Sequence, residues 1–81
     1  LGWAYYANKN YVYAEKYLQK AVELMPFDPV INDHYADSLW MLKKYIQARY
    51  FWQHVLTLEG TEEELKKKIY SKLLFGVSKK L

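Results

Sequence analysis

The feature that most constrains this chain is that it resembles itself. Shifted by 34 positions, residues 1–26 lie over 35–60, and the matches fall at regular places. Lys9 meets Lys43, Tyr11 meets Tyr45, Ala14 meets Ala48, Gln19 meets Gln53 and Leu24 meets Leu58. Conservative pairs fill the gaps: Gly2 with Ala36, Tyr6 with Trp40, Val12 with Ile46, Tyr17 with Phe51 and Val22 with Leu56. A repeat of this length holds one supersecondary unit that cannot bury its own apolar face, so neighbouring units must stack to make a core.

The unit reads as a pair of helices. With 3 Gly and 2 Pro in 81 residues, a chain of tight β-turns has too few turn formers. From 11 to 24 the apolar residues Ala14, Tyr17, Leu18, Ala21, Val22 and Leu24 follow helical spacing, with Lys16, Gln19, Lys20 and Glu23 on the other side. Residues 1–8 read as the remainder of an earlier helix. Asp28 is a good N-cap with Pro29 in the first helical position, so the next helix is expected over 29–42, facing inward through Ile31, Tyr35, Ala36, Leu39 and Leu42. Lys43 and Lys44 mark a turn. Residues 45–58 repeat the spacing through Ala48, Phe51, Trp52, Val55 and Leu56, and Gly60 is expected to end that helix in the left-handed conformation. Thr61 followed by Glu64 is a capping-box pattern that starts a last helix reaching about Phe75. Turns thus fall near 8–10, 25–29, 43–44 and 59–61. Glu62, Glu63 and Glu64 each precede a lysine by four positions, an exposed charged face, while Leu65, Ile69 and Leu73 dock the helix.

The first unit carries Leu1-Gly2, then Tyr5, Ala14, a large apolar Leu18, Ala21 and Pro26. In that order these residues resemble the tetratricopeptide repeat family: small residues stand where two helices cross, and large ones fill the space beside them. The second unit departs from the pattern, with Tyr35-Ala36 for Leu-Gly, Leu39 for the tyrosine, Val55 for an alanine and Gly60 for the proline, yet it keeps Ala48 and places Trp52 at the large position. Asn32 stands where the family carries an early Trp. The resemblance implies an all-α, right-handed α-solenoid: one domain over 1–81, with an N-terminally truncated repeat at 1–28, a second at 29–60 and a capping helix at 61–81. It also implies a C-terminal piece of a longer protein of the bacterial type, since Leu1 begins in mid-element.

Such arrays are protein-binding scaffolds whose groove is lined by the first helix of each pair. Carried over by register, the groove positions are Trp3, Tyr6 and Ala7, then Val30, Asp33, Asp37, Trp40 and Met41. Two tryptophans, a tyrosine and a methionine beside two aspartates suit an apolar peptide carrying Lys or Arg. Asp33 and Asp37 stand where the carboxylate-binding members of the family carry basic or amide residues, which argues against a terminal carboxylate as ligand. Neither aspartate caps a helix or has a lysine four positions on, so both are expected to lack an internal partner.

Other functions find little support. His34 with Asp37 three residues later offers two metal ligands and no third, so no metal or cofactor is expected. Ser38 and Ser71 lack a glycine-flanked nucleophile turn, and a glycine-rich phosphate loop is absent, so the chain is read as non-catalytic. The alternatives kept open are an RNA-binding helical repeat, prompted by the Tyr and Lys interleaved over 11–20, and a purely structural stack without a ligand. Against RNA stand the acidic groove and a basic complement of eleven Lys and a single Arg, because an ammonium cannot make the bidentate contacts of a guanidinium. No apolar run approaches the ~20 residues of a bilayer span. With no cysteine the compartment stays open, the cytoplasm being favoured. Weak self-association through an apolar N-terminal face around Leu1 and Tyr5 is also expected.

Overall fold

A computed structural model describes residues 10–77. They form four helices and no strand: α1 (Tyr11–Leu24), α2 (Pro29–Met41), α3 (Tyr45–Thr57) and α4 (Glu63–Phe75). The expected helix over 1–8 lies outside the described residues. Consecutive helices pack on one another as an antiparallel row. Lys44 at the start of α3 reaches Glu15 near the start of α1 at 2.9 Å, and His54 near the end of α3 lies 3.4 Å from the carbonyl of Pro26 in the α1–α2 turn.

The core keeps the 34-residue register. Ala14 and Ala48 are both fully buried, and the large residues Leu18 and Trp52 that stand in equivalent places are buried too. The small side chains let helices cross closely, and the large ones fill the gaps beside them. Tyr35, Ala36 and Leu39 of α2 and Val55 of α3 complete this centre, and Tyr35 meets Phe51 edge to face at 4.8 Å between centroids. Ile69 anchors α4 to the core, with Leu65 and Leu73 partly buried against it. Leu24 is the clear departure from the expected inward set. It lies in the last turn of α1, beyond the reach of α2, and is exposed.

Asp28 caps α2 as expected, its carboxylate accepting from the backbone N–H of Ile31 at 3.0 Å. Asn32, in place of the family's Trp, is fully buried and donates through Nδ2 to the carbonyls of Pro26 and Asp28 at 3.0 and 2.8 Å, tying the turn to the helix. Two other expectations about helix ends are corrected. The left-handed residue is Lys43 (φ 65°), not Gly60: the N–H of Lys43 bonds the carbonyl of Trp40 and that of Lys44 bonds Leu39, both at 2.9 Å, so α2 closes in a Schellman motif. Nor is there a capping box at Thr61. Its hydroxyl donates instead to the carbonyl of Val55 at 2.7 Å, and α4 begins only at Glu63. That late start also changes the surface ion pairs, which join residues three apart, Glu63 with Lys66 (3.6 Å) and Glu64 with Lys67 (3.8 Å).

Candidate partner-binding face

The Asp28 cap and Pro29 fix where α2 begins, and its 3.6-residue turn then brings Val30, Asp33 and Asp37 to one side. That side faces α4. A cleft of about 610 Å³ lies between the two helices, with Val30 and His34 on one wall, Leu65 and Lys68 on the other, and Asp33, Asp37 and Lys72 also in its lining.

The expectation that the two aspartates lack an internal partner is overturned. Lys72 Nζ donates to Asp33 Oδ1 at 2.8 Å and to Asp37 Oδ2 at 3.0 Å, and Trp52 Nε1 donates to Asp37 Oδ1 at 3.3 Å. Both aspartate side chains are 8% exposed and that of Lys72 21%, so the three charges sit almost out of water. Two carboxylates against one ammonium leave a net negative charge. Burial, followed by the neighbouring charge of Asp33, pushes Asp37 up to about 7, against the opposing pull of Lys72 and the indole N–H. Burial by itself would lower Lys72, but the charges of Asp37 and Asp33 and its bonds to both hold it above its ordinary value. Burial lowers His34, with Asp33 and Asp28 pulling the other way and Lys72 adding to the lowering.

The two-ligand reading of His34 and Asp37 also needs correction, because donor atoms of Asp33, His34 and Asp37 all lie within 4.8 Å of one another. The Lys72 ammonium bonds both carboxylates of that group and so already answers part of their charge.

Trp40 is half-buried in an aromatic stack. Its ring centre lies 4.4 Å from Tyr45 and 5.5 Å from Trp52, and Gly76 approaches the ring so closely that a Cβ there would come within 2.2 Å of it. Met41 is half-buried and Val30 is exposed, while Trp3, Tyr6 and Ala7 lie outside the described residues. Sequence reasoning missed Lys72. The signal was present: Lys72 shares the face of Leu65 and Ile69 at helical spacing and stands off the solvent side occupied by Lys66 and Lys67. A lysine on a buried face requires a carboxylate.

The tetratricopeptide repeat family model matches residues 1–28. No curated protein and no solved structure matches the chain significantly. Repeats of this family serve in general as non-catalytic modules of protein–protein interaction. Among the described residues no helix is long and apolar enough to cross a membrane. Residues 1–28 thus match the tetratricopeptide repeat model, and the described residues, from α1 inside that match through α2, α3 and α4 beyond it, form an all-α row of antiparallel helices.

Proposed function

We propose that this chain is a protein-binding scaffold, not a catalyst, and that it holds an apolar segment of another protein carrying at least one positive charge along α2. The observation that carries this reading is the cleft between α2 and α4, because Val30, Asp33 and Asp37, chosen by register alone, all line it. Its ionic lining is five carboxylates, from Asp28, Asp33, Asp37, Glu62 and Glu64, against Lys68 and Lys72. The surplus favours a cationic ligand and makes binding weaken with salt. Val30 offers the exposed apolar contact. Met41 and the uncovered part of Trp40 extend the face, and Trp3, Tyr6 and Ala7 stand at the equivalent register one unit earlier, matching Asp37, Trp40 and Met41.

The test is selection from a random peptide display library against the full chain. Enriched peptides should pair apolar residues with Lys or Arg, and Val30→Lys, which removes the apolar contact and repels the cation, should weaken them about tenfold, roughly 1.4 kcal/mol. Acidic peptides, or peptides indifferent to Val30→Lys, would refute the reading.

A further inference from the structure

Most acids of this fold gather at one end of the helix row, where Lys20 of α1 and Lys66, Lys67 and Lys68 in the first two turns of α4 offset them only in part. Of the nine acids, Glu15 is paired with Lys44, and Asp33 and Asp37 with Lys72. The other six, Glu23, Asp28, Glu59, Glu62, Glu63 and Glu64, all lie where α1 and α3 finish and α2 and α4 begin. At the opposite end, where α2 finishes and α3 begins, stand Lys43, Lys44 and Arg49. Arg49 donates to the carbonyl of Leu73, which brings the last turn of α4 to the same basic end. Lys66 and Lys67 reach Glu63 and Glu64, so among the described residues Glu23, Glu59 and Glu62 have no ion pair.

Each end also carries large apolar side chains in water. At the acidic end Leu24 is 84% exposed and Phe27 75%, with Met25 between them. That turn is the place where polar residues are expected, since its backbone faces solvent. At the basic end Ile46 is 87% exposed and Phe75 82%, beside Leu74. An exposed apolar cluster rimmed by charge marks an interaction surface. Here two such clusters carry opposite rims on one molecule.

We propose that the occupant of each end is the other end of a second copy of this chain, stacked head to tail. Charge complementarity selects that arrangement. A two-fold dimer through either end would set acid against acid or lysine against lysine, whereas a translated copy sets Glu59 and Glu62 toward Lys43 and Arg49. A heterologous contact leaves one free end of each kind on every pair, so association continues past the dimer. The surface lies at the helix ends and shares Asp28, Glu62 and Glu64 with the α2–α4 cleft, whereas Phe27, Lys43, Ile46 and Glu59 lie outside the lining of that cleft.

The experiment is sedimentation velocity on the full chain from about 10 µM to about 1 mM, a range suited to a small, weak interface. The weight-average mass should rise past that of a dimer and fall back with added salt. Two variants change exposed residues, Lys43→Glu with Ile46→Glu at the basic end, and Phe27→Lys with Glu59→Lys at the acidic end, each checked for retained helicity. Each variant alone should stay monomeric, because its two ends now carry one sign. An equimolar mixture should recover association, because the intact acidic end of the first meets the intact basic end of the second. A wild-type chain that stays monomeric throughout, growth that stops at a dimer or survives both pairs of changes, or a mixture that stays monomeric would each overturn the proposal.

Discussion

Replacing Lys72 by methionine keeps most of the side-chain volume and removes the only cation between two buried carboxylates. The ammonium lies 2.8 Å from Asp33 and 3.0 Å from Asp37, and all three side chains are more than three-quarters out of water. Breaking such a pair by removing one partner costs about 3–5 kcal/mol, because the remaining charge stays buried without compensation. For a chain of this length the total stability is on the order of 4–12 kcal/mol, so the loss should be plain in a urea titration followed by circular dichroism. The loss should also depend on pH. With the ammonium gone the pull that opposes the rise of Asp37 is lost, so the folded variant takes up a proton that the unfolded chain releases, and the penalty shrinks from pH 8 to pH 5. The wild type should show a weaker trend of the same sign. Asp37 is raised to about 7 in the folded state from an ordinary 3.8, so between those values the folded chain holds a proton that the unfolded chain does not, and stability falls as pH rises through about 7. The triple change Lys72→Met, Asp33→Asn, Asp37→Asn removes all the charge and should recover most of the loss. A Lys72→Met penalty below about 1 kcal/mol, or one equal at pH 5 and pH 8, would show that the lysine contributes only the packing of its stem.

Two further changes test the helix ends. Gly76→Ala should cost about 2–4 kcal/mol in urea midpoint experiments, because the residue has φ 76° and its new Cβ would fall 2.2 Å from the Trp40 ring; a loss under about 0.5 kcal/mol would mean that the C-terminus of α4 does not rest on Trp40. Lys43→Gly should raise stability by about 0.5–1 kcal/mol in the same assay, since a left-handed backbone is strained for lysine and free for glycine, whereas a destabilisation would contradict the Schellman closure of α2.

What was legible in the sequence was local. Helical periodicity and the Asp28-Pro29 cap depend on residues within four positions of each other, and α1 begins and ends where the spacing says it should. The 34-residue register carried further, because Ala14 and Ala48 are small for the same reason in both units, the close crossing of two helices. Helix ends were less legible where one residue had two possible partners. The Thr61 hydroxyl could bond forward to the first turn of α4 or back to Val55; at the back it meets a carbonyl in the last turn of α3 that also accepts the N–H of Leu58, and that bond is the one formed. Gly60 could have taken a left-handed turn, but α3 ends in extended backbone at Leu58 and does not need one.

The acidic pair was misread for a different physical reason. Asp33 and Asp37 were judged by the residues three and four positions away, the only pairings that helical spacing reports, and their true partner stands 39 and 35 positions further on. No local rule sees across that separation. Composition along a single helix does see the other half of the problem: Lys72 stands on the helical stripe of Leu65 and Ile69, one turn beyond Lys68. A cation on a buried stripe and two carboxylates with no local partner are each unfavourable alone, and each becomes stable only if the fold brings them together. In a stack of helices, where every apolar stripe must find a neighbouring helix, unmatched charges of opposite sign on two such stripes identify which helices touch. The docking of α4 across α2 was therefore written in Asp33, Asp37 and Lys72 taken jointly, though in none of them singly, and the same docking turns the presumed open groove into a walled cleft.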